Sequence, residues 1–594
     1  QLAALGTAQT RGIDTSDLAS FSTSMIAALS TGQIAALGTT QLDALSTTQL
    51  IAFTTTQLQA FTSVQLRGLS TGDLDAFTTT QFAALRSSQL ASLTTSQVAG
   101  LETGDLAVLG TAQMRGFTSA QMSALTSNEL AVLTSTQWQA LTSGQVRGID
   151  SADLAALGTG SLAALGSAQI AALTTDQFAA LDATRLAALS NAQAAALTTA
   201  QVRTLDASEL DAIGSTQWAA MRTSQIAALM PGQVRDMAFD DFQALGTAAI
   251  RALSTASMAA MNSADLYLDK FTSTQIAALT TAQVAAIGTG MINDLLPTEL
   301  SSFTTAQFAA LTTTQLNVLA NASGLTAPGQ HLYDASTAQV AALTSAQLRS
   351  LGTSELDSLT AAHFAALRTA QLAALTTTQV ANLETTDLAA LGSAQMRGFT
   401  TAGITALTTQ ELAVLSSSQW GGLSTAQVAA LSTAQVRAMD SADLAALTSS
   451  QLRAMGTDDI VALSSTQWLA LASEDLRALT STQINAIGSA DLAALTTTQV
   501  ASLTTGQLAR LATSLIESIE TADLVALTTA QVRSLTSSQI GALTTTQIEA
   551  LETSDIAAMT SAQIRVFDTA DIQAMSSAQL AALQARLASP DTFR

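Results

Sequence analysis

The 594-residue chain offers few side chains able to do chemistry: two histidines, no cysteine, and Lys270 as its single lysine. His363 stands where other repeats place a glutamine, so it is expected to cap a helix or face solvent. His331 lies in an irregular stretch. Neither has a second His or a Cys at metal-ligand spacing, so no zinc or haem site is read from them. The densest acidic cluster is Asp236, Asp240 and Asp241, in Arg235-Asp236-Met237-Ala238-Phe239-Asp240-Asp241. Carboxylates are hard oxygen ligands, which makes these three a weak calcium candidate beside the plainer reading of a solvated turn. Asn321-Ala322-Ser323 matches a glycosylation acceptor. Trp138, Trp218, Trp420 and Trp468 each follow a glutamine at an apolar position and read as structural anchors of the core. Catalysis needs different groups converging in a pocket, and no Ser/His/Asp set, phosphate loop or carboxylate pair stands out. The chain is read as no enzyme, with no cofactor.

Composition narrows the partners. A net charge of −22 with one lysine leaves no basic stripe for phosphates, so nucleic acid is not expected. Hydroxyl-bearing residues interrupt every apolar run well short of the ~18–20 residues that span a bilayer, so no transmembrane segment is expected. Gln1-Leu2-Ala3-Ala4-Leu5 already reads as a repeat without a basic leader, so no signal peptide is visible. Hydrophobic residues make up 48% of the chain but aromatics only 4%, so any core is thin and built largely of Leu and Ala.

The elements that must carry these residues come from one octapeptide. Aligned on Gln33, Gln41, Gln49, Gln57 and Gln65, the units read Q-L-x-A-L-T-T-x. Eight residues turn an α-helix by roughly 800°, leaving about 80° of drift per unit, so a continuous helix cannot keep one face buried. The break is written in the residue after the second Leu, such as Thr54, Ser70, Gly110 and Asp150. Ser, Thr and Asp lead the N-cap preferences, and Gln three places later completes a capping box. Leu69 before the cap at Ser70 and Leu74 at the fourth helical position have the spacing of a hydrophobic staple.

The expected fold is therefore all-α: a tightly wound α-solenoid of capped helices of roughly two turns, two or three to a coil, its coils stacking into a rod. A β-solenoid is the alternative, disfavoured because Ala, Leu and Gln form helices. The residue between the leucines is nearly always Ala, Gly or Ser, as at Gly68, Gly116 and Gly148, so backbones should approach closely there.

Register slips by two residues between Asp265 and Gln275. Phe82, Arg86, Asp105, Met114 and Trp138 recur 282 residues on as Phe364, Arg368, Asp387, Met396 and Trp420. These features divide the chain into a first half-solenoid at 1–264, a joint at 265–274, and a second half-solenoid at 275–583. The second half contains an irregular loop at 320–336 that replaces part of a coil, and a C-terminal tail follows at 584–594.

Runs such as Leu-Thr-Thr-Ala-Gln-Val-Ala-Ala-Ile at 279–287 resemble repeats of large secreted surface exoproteins of Gram-negative bacteria, which often carry adhesion or haem-utilisation labels. The resemblance implies an exported bacterial protein, extracellular or on the cell surface. The expected function is a self-assembling structural protein, a filament, sheath or S-layer subunit, whose partner is itself and whose contacts add by multivalency. A cell-surface polysaccharide is a possible further partner. An adhesin stalk that spaces another domain and an ice-binding surface are the alternatives. Free exchange of Thr with Ser and Gly counts against an ice-lattice match.

Overall fold

The cap and the glutamine three places on shape each unit. In the helix Ser135–Ala140, the Thr134 hydroxyl accepts from the Gln137 N–H at 3.3 Å, and Gln137 Oε1 accepts from the Thr134 N–H at 2.7 Å. This is the capping box that the spacing predicts. The next two residues, Leu141 (φ −60°, ψ 142°) and Thr142 (φ −77°, ψ 157°), are extended, and the next helix is Ser143–Gly148. Such an octad is six helical residues and two extended ones. Both corner residues sit in a region open to any L-amino acid, so the turn needs no glycine.

The computed structural model describes residues 2–261, 270–321 and 330–588, apart from the side chains of 321, 330 and 331. Its helices are mostly four to six residues long, shorter than the two turns expected, because the second apolar residue has already left the helix. Among the described residues there is no strand, which removes the β-solenoid alternative. No described helix is long and apolar enough to cross a membrane.

Helices this short are unstable alone and depend on their neighbours. Most pack on the third helix along the chain, as Ser119–Met122 does on Ser143–Gly148 and Pro231–Asp236 on Thr255–Ala260. The glutamine amides reach one octad further. Gln137 Nε2 donates to the carbonyls of Leu106 at 2.7 Å and Leu109 at 2.9 Å, 31 and 28 residues back. The same two offsets recur at Gln65, Gln225 and Gln539. One coil therefore takes between three and four octads, more than the two or three expected.

Inside the coil lie the two apolar positions of each octad, represented by the buried Leu66 and Leu69. Trp138, Trp218, Trp420 and Trp468 are all buried there, as anchors should be. The small-residue position bears out the close approach. A Cβ built on Gly116 would stand 2.5 Å from the Ser87 carbonyl oxygen, and one on Gly398 2.7 Å from that of Thr369. Gly148 meets the Ser119 backbone in the same way.

The chain forms two compact units, Gln1–Asp294 and Leu295–Arg594, each a solenoid of this kind. In each, the offset of the glutamine bonds changes once among the described residues. In the first unit Gln275 donates to Phe242 and Leu245, 33 and 30 residues back, so the two-residue slip is absorbed within one coil and the bonding pattern resumes. In the second, Gln339 donates to Leu300 and Phe303, 39 and 36 residues back. Gln339 and its partners are thus separated by eight residues more than Gln137 and its partners. Positions 265–269 of the joint, 322–329 of the loop and 589–594 of the tail lie outside the described residues, as does most of the glycosylation motif. The tail begins inside a helix, Ser577–Leu587, that runs to eleven residues.

Two substitutions test this packing. Gly116→Ala forces a methyl against backbone and should lower stability by about 1–3 kcal/mol in thermal or denaturant unfolding, although Ala is the usual residue at this position. Gln137→Ala strips partners from the Thr134 N–H and two buried carbonyls and should cost about 2–4 kcal/mol.

Candidate functional site

Position N3, held by Gln in most units, is where the structure gathers its unusual side chains. His363 occupies it in the helix Ala361–Ala366 and is buried, so of the two expected places, cap or solvent, it takes the cap. Its Nδ1 accepts from the Thr360 N–H at 3.1 Å, and its Nε2 lies 2.8 Å from the Ala335 carbonyl, 28 residues back. An imidazole donating from Nε2 reproduces both ends of the glutamine bridge, which explains why histidine is accepted here. The His331 side chain lies outside the described residues.

The proposed calcium trio does not act as a group. Asp236 pairs with Arg235 at 2.8 Å on the surface. Asp241 sits at N3 of the helix Phe239–Ala244, where burial, then the carboxylates of Asp211 and Asp240, push it up to about 6. Among the described residues no cluster of three or more His, Asp or Glu is arranged to hold a metal ion. Several arginines bind neighbouring coils: Arg115 Nε donates to the Ala140 carbonyl at 3.1 Å and Arg397 Nε to that of Gly422 at 2.9 Å.

Sequence reasoning missed a second acidic pattern, although the signal is plain once N3 is known to be buried. Four units read Glu-Thr-x-Asp: Glu102 to Asp105, Glu384 to Asp387, Glu520 to Asp523 and Glu552 to Asp555. In each, the carboxylate of the N-cap glutamate accepts no backbone N–H of the helix start, although those of Glu384 and Glu552 accept the hydroxyls of Thr386 and Ser554. In each, the aspartate at N3 is at least 97% buried and its Oδ2 has no hydrogen-bond partner. Burial first, and then the Glu384 and Asp357 carboxylates, push Asp387 up to about 7. Burial, then Glu102 and Asp75, push Asp105 up to about 6. Asp555 also rises to about 6, through burial and Glu552, and Asp523 moves upward through burial and Glu520. Asp75, Glu102 and Asp105 recur 282 residues on as Asp357, Glu384 and Asp387, so the internal duplication has carried the triplet as a set.

Beside Glu384 runs an open groove lined by Asn382, Thr386, Thr408, Gln410 and Glu411 among others. It brings together amides, hydroxyls and carboxylates but no histidine, lysine or arginine. The outer surface repeats hydroxyls: the triplets Thr54–Thr56, Thr78–Thr80, Thr312–Thr314, Thr376–Thr378 and Thr544–Thr546 are all exposed.

Capped short helices, a glutamine at N3 and coils of three to four octads define a class, the α-solenoid built from an octapeptide. The family model of the ALTTAQ repeat matches at 11–47, 34–71, 66–103, 98–135, 146–183, 234–267, 380–417, 436–473, 469–505, 516–553 and 548–585, more than half of the chain. The chain belongs to the ALTTAQ repeat family. No curated protein matches it.

The histidine bridge can be tested directly. His363→Gln should leave stability within about 0.5 kcal/mol of the parent, because the amide makes both bonds, while His363→Ala should lose about 1–3 kcal/mol. Thermal unfolding of the two variants side by side reads the difference.

Proposed function

We propose that the protein is a structural, self-assembling component of a bacterial surface or extracellular layer, a filament, sheath or S-layer subunit, and not an enzyme. The observation that carries this reading is the exposed hydroxyl surface, which presents the same short Thr/Ser motif at octad after octad. Weak, identical contacts of this kind gain strength by number, because each contact formed makes the next one intramolecular. Hydroxyls donate and accept, so two copies of the surface are self-complementary without charge pairing. The net charge of −22 is spread thinly over 594 residues, which keeps repulsion between copies modest and screened at physiological salt. The groove beside Glu384 supports no catalytic reading, since it lacks a nucleophile paired with a base.

Electron microscopy of residues 1–594 over a concentration series, with and without calcium, tests the proposal. Ordered filaments or sheets that form as concentration rises are the expected result. Particles that stay separate at every concentration would sink it and leave a spacer that holds another domain at a distance as the better account.

A further inference from the structure

The four Glu-Thr-x-Asp units interrupt the amide bonding that joins coil to coil wherever N3 is glutamine. Where N3 is glutamine, one amide oxygen closes the cap and the amide nitrogen donates to two carbonyls of the coil behind, 28 and 31 residues back. Counting back from the four aspartates, the carbonyls in that place belong to Leu74 and Phe77, Leu356 and Leu359, Leu492 and Leu495, and Leu524 and Leu527. An ionised carboxylate has no proton to offer them, and in all four units its Oδ2 is buried and unpartnered. A protonated carboxyl is a donor and an acceptor at once, as the amide is.

We infer that Asp105, Asp387, Asp523 and Asp555 are acid-closed rungs: each takes up a proton in mildly acidic surroundings and then donates to the coil behind, so the solenoid tightens on acidification.

At each aspartate burial is the largest influence and favours the proton, outweighing the groups nearby that favour the charge. Asp105 faces Asp75 and its own N-cap Glu102. Of the helices packed against it, Thr79–Ala84 brings no ionisable group and Ser127–Ala131 brings Glu129, whose Oε2 is held by the Thr126 N–H. Asp387 faces Glu384 and Asp357, with Glu355 beside the latter. Its packed neighbours bring His363, bonded at both nitrogens, and Glu411, held by the Thr408 N–H. Asp523 faces Glu520 and a hydroxyl of Thr497; the helix Thr545–Ala550 packed on it carries exposed Glu549, and Asp491 lies one coil behind, held by Ser465. Around Asp555 stand Glu552, Asp523 in the coil behind, and two arginines on packed helices, Arg533 and Arg586, the latter donating to the Met559 carbonyl.

The direction with pH follows from proton affinity. These carboxyls hold protons more tightly folded than unfolded, where the ordinary value near 3.8 applies. The contribution of Asp105, Asp387 and Asp555 to stability is complete below that value and is lost as pH rises through about 6 to 7, and that of Asp523 moves in the same direction.

Thermal unfolding followed by circular dichroism at about pH 5 and about pH 7.5 tests the inference. The parent should melt at a higher temperature at the acidic pH. Asp→Asn at all four positions should raise the midpoint at the higher pH and remove most of the difference, because the asparagine amide donates at either pH. A second series with Gln at the four positions guards against an amide that is too short to bridge. An exposed control set of equal charge change, Asp14→Asn, Asp43→Asn, Asp176→Asn and Glu474→Gln, separates the rungs from general charge relief and should leave the difference in place. Rung variants in both series that keep the parent's full pH difference would overturn the inference, and so would a control set that abolishes it equally.

Discussion

The fold depends on one side chain making two connections at once. The glutamine at N3 satisfies the backbone at the start of its own helix with its oxygen and the backbone of the coil behind with its nitrogen. Burying an amide is costly unless all of its hydrogen bonds are made. Here they are made, and the groups they serve are backbone N–H and C=O groups that helices this short would otherwise leave orphaned. Local capping and tertiary stacking are therefore the same interaction, which is why helices of four to six residues persist. The other residues accepted at N3 illustrate the rule: His363 bridges in the same manner, and the four buried aspartates mark where the bridge needs a proton.

The corner between helices is equally economical in its demands. Two extended residues, an apolar one and then a cap, redirect the chain without a left-handed conformation, so glycine is free to serve where coils touch. Gly116 and Gly398, equivalent positions in the internal duplication, both lie against a backbone carbonyl of a neighbouring coil. Tolerance of insertion follows from the same modularity. The offset of the glutamine bonds grows by two residues at Gln275 and by eight at Gln339, and the amide bonding is made at both. Repeat proteins owe this to contacts that are made only between near neighbours.

Buried glutamines and exposed threonines give the protein an inside that is fully specified and an outside that is nearly uniform. Uniform surfaces suit addition of many weak contacts better than recognition of one small molecule. The acidic N3 positions are the main departure from uniformity, and they lie inside the coil stack, where they act on the solenoid itself.

Much of this was determined by sequence alone. The period of eight excludes a continuous helix, the Ser/Thr and Gln spacing writes the capping box, and the small residue between the leucines announces close backbones. These are local signals, governed by groups a few residues apart. The tryptophans at apolar positions were legible for the same reason. Only the tertiary structure decided how many octads close a coil, because that number is set by how corner angles accumulate and by bonds spanning 28 and 31 residues. It also decided that His363 is buried and that the Glu-Thr-x-Asp units differ from ordinary capping. On the sequence alone the glutamine's oxygen had a purpose and its nitrogen had none; the carbonyls that receive it belong to the coil behind, and proximity across coils is not written in any single octad.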